Sequence, residues 1–89
     1  ITGAGPVGSA SYMSPEQCAG KQVDARSDLY AAACILYECL TGKKAFSADS
    51  DMEVMYKQLH QEASGLRNDL SPQISAILAR ALHKNPDNR

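Results

Sequence analysis

The distribution of apolar and polar residues divides this 89-residue chain into a long loop followed by helical segments. Residues 1–13 are rich in Gly, Ala and Ser and show no periodicity, which is typical of a loop. Beyond them, apolar residues recur at helical spacing, and no segment shows the strict alternation of a strand. The pattern therefore predicts an all-α fold with an N-terminal loop.

Capping residues and stop signals set the expected bounds of the helices. Ser14 is followed by a proline and, three positions later, by Gln17, which is the signature of a capping box at a helix start. Gly42 supplies a left-handed stop after the longest periodic segment, whose start is capped by Asp24 or Ser27. The predicted helices span residues 14–19, 25–41, 50–61 and 72–83.

Each of the last two predicted helices has an expected apolar face, because its apolar residues recur three and four positions apart. These faces consist of Met52, Met55, Tyr56 and Leu59 in the helix over 50–61, and of Ile74, Ile77, Leu78, Ala81 and Leu82 in the helix over 72–83.

The central helix is apolar on every side. Between residues 28 and 40 the only charged residues are Asp28 and Glu38. A helix that is apolar all round is expected to be buried on all sides, and the rest of this chain is too short to surround it. We therefore expect it to pack partly against protein outside this chain. Residues 1–89 alone should be marginally stable, or should associate through their exposed apolar surfaces.

Composition and charge narrow the range of functions. The chain is 44% apolar and 21% charged, as in globular domains, and nine basic residues against ten acidic ones give a net charge of −1. This balance, without any run of like charges, argues against binding to nucleic acid or to an anionic membrane. The longest apolar run, 29–37, is too short for a bilayer, which takes about 20 residues. The chain does not begin with Met, so we expect it to be part of a longer polypeptide.

The cysteines predict neither a disulfide framework nor a metal site. Cys18, Cys34 and Cys39 are odd in number and lack the paired spacing of zinc ligands. We therefore expect buried or half-buried free thiols in a cytoplasmic protein.

Residues 3–8 match the G-x-G-x-x-G pattern of dinucleotide-binding loops, and Asp24 and Asp28 lie about 20 residues further on. No strand precedes Gly3, and no helix begins at Gly8 to receive a phosphate at its N-terminus. A nucleotide-binding fold built on this segment would need strands that the sequence does not show.

Four sequence blocks, in order, resemble the C-terminal lobe of protein Ser/Thr kinases, most closely the bacterial eukaryotic-type kinases. Residues 8–17 read GSASYMSPEQ, similar to the end of the family's activation segment, G-T-x-x-Y-[ML]-[AS]-P-E. Residues 24–30 (DARSDLY), 36–42 (LYECLTG) and 81–89 (ALHKNPDNR) match later blocks at the family's spacing. The resemblance implies a partial kinase domain over 1–89, with its P+1 loop at 8–13 and its F helix at 25–41. Two departures are Ala31–Ala33, where the family usually has Ser-x-Gly, and Ala45, where it has proline.

The resemblance implies substrate positioning by Ser9, Tyr12 and Glu38. Ser9 stands where the family has a threonine whose hydroxyl bonds the catalytic aspartate, and Glu38 where some members bind a basic residue upstream of the phosphoacceptor. From the residues alone, Ser9 can also be a turn serine and Glu38 a structural carboxylate. Thr2 lies where activation loops are often phosphorylated, and is otherwise a mobile terminal threonine.

The resemblance implies structural roles for five further residues. Glu16 and Arg89 match an ion pair in which the guanidinium binds the carboxylate through two hydrogen bonds, the alternative being a helix-cap Glu and a solvated Arg. Asp28 matches the aspartate that braces the catalytic loop, although the helix dipole also favours an acid there. Ile35 and Cys39 match supports of the hydrophobic spine beneath the adenine site, and both are equally expected in a plain core.

The implied activity of the parent chain is transfer of the γ-phosphoryl group of ATP, with Mg²⁺, to Ser or Thr of proteins. The phosphate loop, the strand lysine, the catalytic aspartate, the metal-binding asparagine and the D-F-G aspartate are absent from residues 1–89. We therefore expect this segment to bind no cofactor or metal and to be inactive alone. Its expected partners are the rest of the kinase domain and protein substrates, and the alternative is a pseudokinase or a helical protein-interaction module.

Overall fold

The computed structural model describes residues 9–61 and 70–89, and these residues form short and long helices joined by loops. In chain order they are the 3-10 helix η1 (Ser9–Tyr12), α1 (Pro15–Cys18), α2 (Ala25–Thr41), α3 (Asp51–His60), α4 (Pro72–Ala81) and the 3-10 helix η2 (Pro86–Asn88). These ranges contain no strand, so the predicted all-α class is confirmed. Thr2 and the glycine motif at 3–8 lie outside the described residues.

Local capping chemistry explains where the helices begin and end. The Ser14 hydroxyl accepts the N–H of Gln17 at 3.3 Å, and the Gln17 side chain accepts the N–H of Ser14 at 2.9 Å, which completes a capping box. Asp24, and not Ser27, caps α2. Gly42 ends α2 in the left-handed conformation, with φ 76°, and donates its N–H to the carbonyl of Glu38. The bounds of α2 are those that the pattern predicts, and the other α-helices are shorter than expected by one or two residues at their ends.

The core lies where α2 meets η1, α3, α4 and the loop after α2. Removing large apolar side chains from water stabilises such a core by roughly 1.5–3 kcal/mol for each fully buried one. The larger side chains of this core are Tyr30, Cys34 and Tyr37 of α2, Phe46 of the loop after α2, Val54 of α3, Leu78 of α4 and Leu82, which directly follows α4. No helix within the described ranges is long and apolar enough to cross a membrane.

One side of α2 is exposed, in line with the prediction that the rest of this chain is too short to surround the helix. Leu29, Ile35, Leu36 and Leu40, which we call the α2 flank, are between 44% and 48% exposed. The elements that pack most closely on α2 are η1 and α4, and they leave this side open, although α4 borders the flank at Leu29 and Leu36. The prediction of buried or half-buried thiols is wrong for Cys39, which is exposed. Cys34 is buried and Cys18 is half-buried, as predicted.

The buried face of α3 also differs from the predicted one. Met52 and Tyr56 are exposed, while Val54 and Gln58, four residues apart, face the core. Gln58 is turned inward because its amide donates hydrogen bonds to backbone carbonyls of η1, which no apolar side chain can do. In α4 the predicted face is correct except for Ile77, which is 62% exposed.

We expect isolated residues 1–89 to self-associate through the α2 flank, because contact between exposed apolar side chains removes them from water. Leu36→Lys should move the weight-average mass in sedimentation equilibrium toward that of a monomer. Met52→Lys, which changes an exposed apolar residue of α3 outside the flank, is the matched control and should leave the mass unchanged. A monomeric chain with a sharp, concentration-independent melt would contradict the expectation.

Candidate functional site

A buried ion pair joins α1 to Arg89. Arg89 donates from Nη1 to Glu16 Oε2 at 2.6 Å and from Nη2 to Glu16 Oε1 at 2.9 Å, so the contact is bidentate. The Arg89 side chain is 0% exposed and that of Glu16 is 8% exposed. Ser27, in the first turn of α2, donates its hydroxyl to Glu16 Oε2 at 2.7 Å. The structure therefore brings together the two residues that the resemblance paired, and adds Ser27 to them.

The remaining N–H groups of the Arg89 guanidinium bind backbone carbonyls. They reach His83 at 2.8 Å, Arg26 at 3.0 Å and Lys84 at 3.4 Å. The guanidinium carbon also lies 4.9 Å from the ring centroid of Tyr30, within the range of a cation–π contact. Arg89 thus ties α1, the start of α2 and the segment after α4 to one point.

These contacts decide the protonation state of Glu16. Burial alone would raise the pKa of this carboxyl group, but the hydrogen bonds from Arg89 and Ser27 outweigh burial and lower the pKa to about 2. Glu16 is therefore ionised at neutral pH, as the bidentate pair requires.

A second contact joins η1 to α2. The Tyr12 hydroxyl donates to Glu38 Oε1, and both side chains are half-buried. The hydrogen bond to Glu38, with burial as the next cause, raises the pKa of Tyr12 to about 12, so the phenol keeps its proton at neutral pH. Two of the three residues predicted to position a substrate therefore meet. Ser9 begins η1, but its side chain is outside the described part of the chain.

Asp28, Ile35 and Cys39 form one exposed stripe on α2. They lie seven and four residues apart, a spacing that places them on the same face of a helix, and all three are exposed. The expectation that Ile35 and Cys39 belong to a plain core is therefore wrong for the described residues. Their role in a hydrophobic spine, and that of Asp28 as a brace, stay predictions.

Sequence reasoning missed a polar contact that holds η1 from the α3 side. Gln58 is 0% exposed, and its Nε2 donates to the carbonyls of Ala10 and Ser11 at 3.1 and 3.0 Å. Its Oε1 accepts the hydroxyl of Tyr30, which in turn accepts Nζ of Lys84 at 3.2 Å. No signal in the sequence marked Gln58, because the predicted apolar face of this helix runs through Met52, Met55, Tyr56 and Leu59 and does not include it.

The described residues contain no group of three or more His, Cys, Asp or Glu side chains placed to hold a metal ion. The polar groups that converge here are instead the ion pair at α1 and the hydrogen bonds that hold η1. These contacts fix the position of the segment that contains η1 and α1.

We expect Arg89→Met to lower the free energy of unfolding of the full protein by about 3–5 kcal/mol, because Glu16 would be left buried without its counter-charge. Replacing both partners, as in Glu16→Met with Arg89→Met, should lower the free energy of unfolding by less than the sum of the two single changes. Denaturant unfolding of the three variants measures the coupling.

Asp87→Asn is the matched control, because Asp87 pairs with Arg26 at 2.5 Å on the exposed surface, where an ion pair adds little. Strictly additive losses in the double variant would contradict the expected coupling between Glu16 and Arg89.

Comparison with known proteins places these contacts in a family context. The family profile described as "Protein kinase domain" matches residues 4–89. The chain is 45% identical to serine/threonine-protein kinase PknB of Mycolicibacterium smegmatis, in an alignment that covers 97% of this chain and 14% of that protein. It is 44% identical to PknB of Mycobacterium tuberculosis, with the same coverage. It is 45% identical to the probable serine/threonine-protein kinase SCO3848 of Streptomyces coelicolor, over 97% of this chain and 13% of that protein. The chain therefore spans about one-seventh of the length of these curated relatives.

Proposed function

Because this chain belongs to the protein kinase domain family, we propose that it is the substrate-positioning part of a serine/threonine kinase catalytic domain. The parent protein would transfer the γ-phosphoryl group of ATP to Ser or Thr of protein substrates. The observation that carries the proposal is the bidentate contact between Glu16 and Arg89, because the family resemblance pairs these two positions. That contact fixes α1, which directly follows the loop along which a substrate would lie.

In this proposal, η1 belongs to the P+1 loop over residues 8–13 and is held in place for the acceptor residue. The ion pair fixes α1 after η1, and the hydrogen bond from Tyr12 to Glu38 ties the end of η1 to α2. Ser9 would contribute its hydroxyl at the start of η1, beside the acceptor. Holding a substrate in one orientation lowers the entropic part of the barrier to phosphoryl transfer.

The exposed stripe of α2 would face the rest of the kinase domain. Asp28 would accept backbone N–H groups of the catalytic loop, and Ile35 and Cys39 would support the hydrophobic spine. Their exposure supports this role, because apolar side chains that stay in water within this chain gain stability when a further part of the domain covers them.

ATP and Mg²⁺ are implied for the parent by its kinase relatives. The residues of this chain do not fit them, because its sequence has neither the phosphate-binding loop nor the lysine and aspartates that hold the nucleotide and its metal. We therefore assign both to parts of the parent outside this chain, and assign positioning alone to residues 1–89.

The proposed activity predicts that the full parent protein, given Mg²⁺ and ATP labelled in its γ-phosphoryl group, places label on Ser or Thr of a basic protein substrate. Residues 1–89 alone should place none, because they lack the nucleotide-binding motifs. Acid hydrolysis followed by phosphoamino-acid separation identifies the labelled residue.

A folded parent that labels nothing would contradict the proposed activity and favour the pseudokinase alternative. Label transferred by residues 1–89 alone would contradict the restriction of this chain to substrate positioning.

We propose in addition that Glu38 binds a basic residue of the substrate. Its Oε1 accepts the Tyr12 hydroxyl, whereas its other oxygen accepts no hydrogen bond from the described residues, and the side chain is half-buried beside η1. A partly desolvated carboxylate with one unoccupied oxygen attracts a guanidinium more strongly than an exposed one does.

Glu38→Gln should therefore raise the KM of the parent for an Arg-containing peptide about tenfold, a loss of roughly 1.4 kcal/mol in binding. The KM for the same peptide with Arg replaced by norleucine should change little. Glu53→Gln, the same change at an exposed residue of α3, is the control. An equal rise for both peptides would show that Glu38 holds the loop rather than the substrate's charge.

A further inference from the structure

Gln58 is the most completely bonded buried polar side chain that the proposed function leaves unused. Its side chain is 0% exposed, and both N–H groups and the oxygen of its amide have partners. An amide can be buried at little cost only when its hydrogen-bonding groups are satisfied. The residue therefore occupies a site that requires a donor on one side and an acceptor on the other.

The donor side of Gln58 serves the backbone of η1. Nε2 binds the carbonyls of two successive residues, Ala10 and Ser11, which are themselves buried. A 3-10 helix of four residues has little stability of its own, so its place is set by contacts from outside. A donor that binds two neighbouring carbonyls fixes both the position and the rotation of such a turn.

The acceptor side of Gln58 sets the orientation of its amide. Tyr30, which is fully buried in α2, donates its hydroxyl to Oε1 and so turns the NH₂ group toward η1. Tyr30 is held in turn by Nζ of Lys84, which lies 4.3 Å from the ring centroid of Phe46. The orientation of the amide is therefore set by α2 directly, and by the segment after α4 through Lys84 and Tyr30.

We propose that Gln58 is a positioning residue for substrate binding: it holds η1 from the α3 side by binding its backbone, and through η1 it places Tyr12 against Glu38. This inference rests on the proposed kinase function. Because Nε2 of Gln58 binds η1 through two backbone carbonyls, this contact positions the turn without using any of its side chains. Loss of Gln58 should therefore weaken binding of the protein substrate and leave binding of ATP unchanged.

The test uses steady-state kinetics of the full parent kinase with a peptide substrate. Gln58→Met keeps the length of the side chain and removes its hydrogen bonds, and it should raise the KM for peptide about tenfold, a loss of roughly 1.4 kcal/mol. The KM for ATP and kcat should stay within about twofold of the wild type. Gln73→Met, the same change at an exposed residue of α4, is the control and should change none of these values.

Two further variants keep the test decisive if Gln58→Met does not fold. Gln58→His offers one donor and one acceptor, so it should keep part of the contact and give an intermediate KM for peptide. Tyr30→Phe removes only the hydroxyl that orients the amide, and it should raise the KM for peptide by a smaller factor. Folding of each variant is checked by its melting temperature.

The outcomes separate the two proposals. A wild-type parent without phosphoryl transfer would overturn the proposed function. An active wild type, with an unchanged KM for peptide in folded Gln58 and Tyr30 variants, would overturn the role of Gln58 and leave the kinase function intact. A fall in kcat together with similar rises in the KM for peptide and the KM for ATP would show a general structural role and would also overturn the inference.

Discussion

A charge that is removed from water must be neutralised at short range, and this chain meets that requirement where Arg89 binds Glu16, 73 positions away. The rest of the site depends on this contact because α1 has only four residues and cannot form a stable helix by itself. Its place is set by the ion pair and by the hydroxyl of Ser27. Since η1 leads directly into α1, the Glu16 carboxylate fixes the C-terminal end of the proposed substrate loop.

The loop at η1 is held by polar bonds from three directions rather than by apolar packing alone. The Glu16 carboxylate fixes its C-terminal continuation, Glu38 of α2 binds its last side chain, and Gln58 of α3 binds its backbone. Hydrogen bonds are directional, whereas apolar contacts tolerate sliding. This arrangement suits a segment that must present one geometry to a partner while remaining near the surface.

The sequence was informative where structure is local. The capping box at Ser14 and the left-handed stop at Gly42 need only neighbouring residues, so α1 and α2 could be located from the pattern. The pairing of Glu16 with Arg89 is not local, and only the family resemblance indicated it. Gln58 could not be found in either way, because a hydrogen bond to a backbone carbonyl depends on which segment the fold brings near. The same limit explains why Met52 was predicted in the core although it is exposed: periodicity identifies a face, and tertiary packing decides which face is covered.

The two sides of α2 have different environments, so this helix lies between two parts of the proposed kinase, the substrate loop and the catalytic loop. One side carries Tyr30, which binds Gln58, and borders Glu38, which binds Tyr12, so it faces the substrate loop. The other side carries the exposed stripe that begins at Asp28 and would face the catalytic loop. A packed helix of 17 residues moves largely as one body, because shifting one face disturbs close-packed contacts on the other. In the proposed kinase, the substrate loop and the catalytic loop would therefore both pack against one rigid element, α2. Their relative position would be set by the packing of α2 rather than by any direct contact between them.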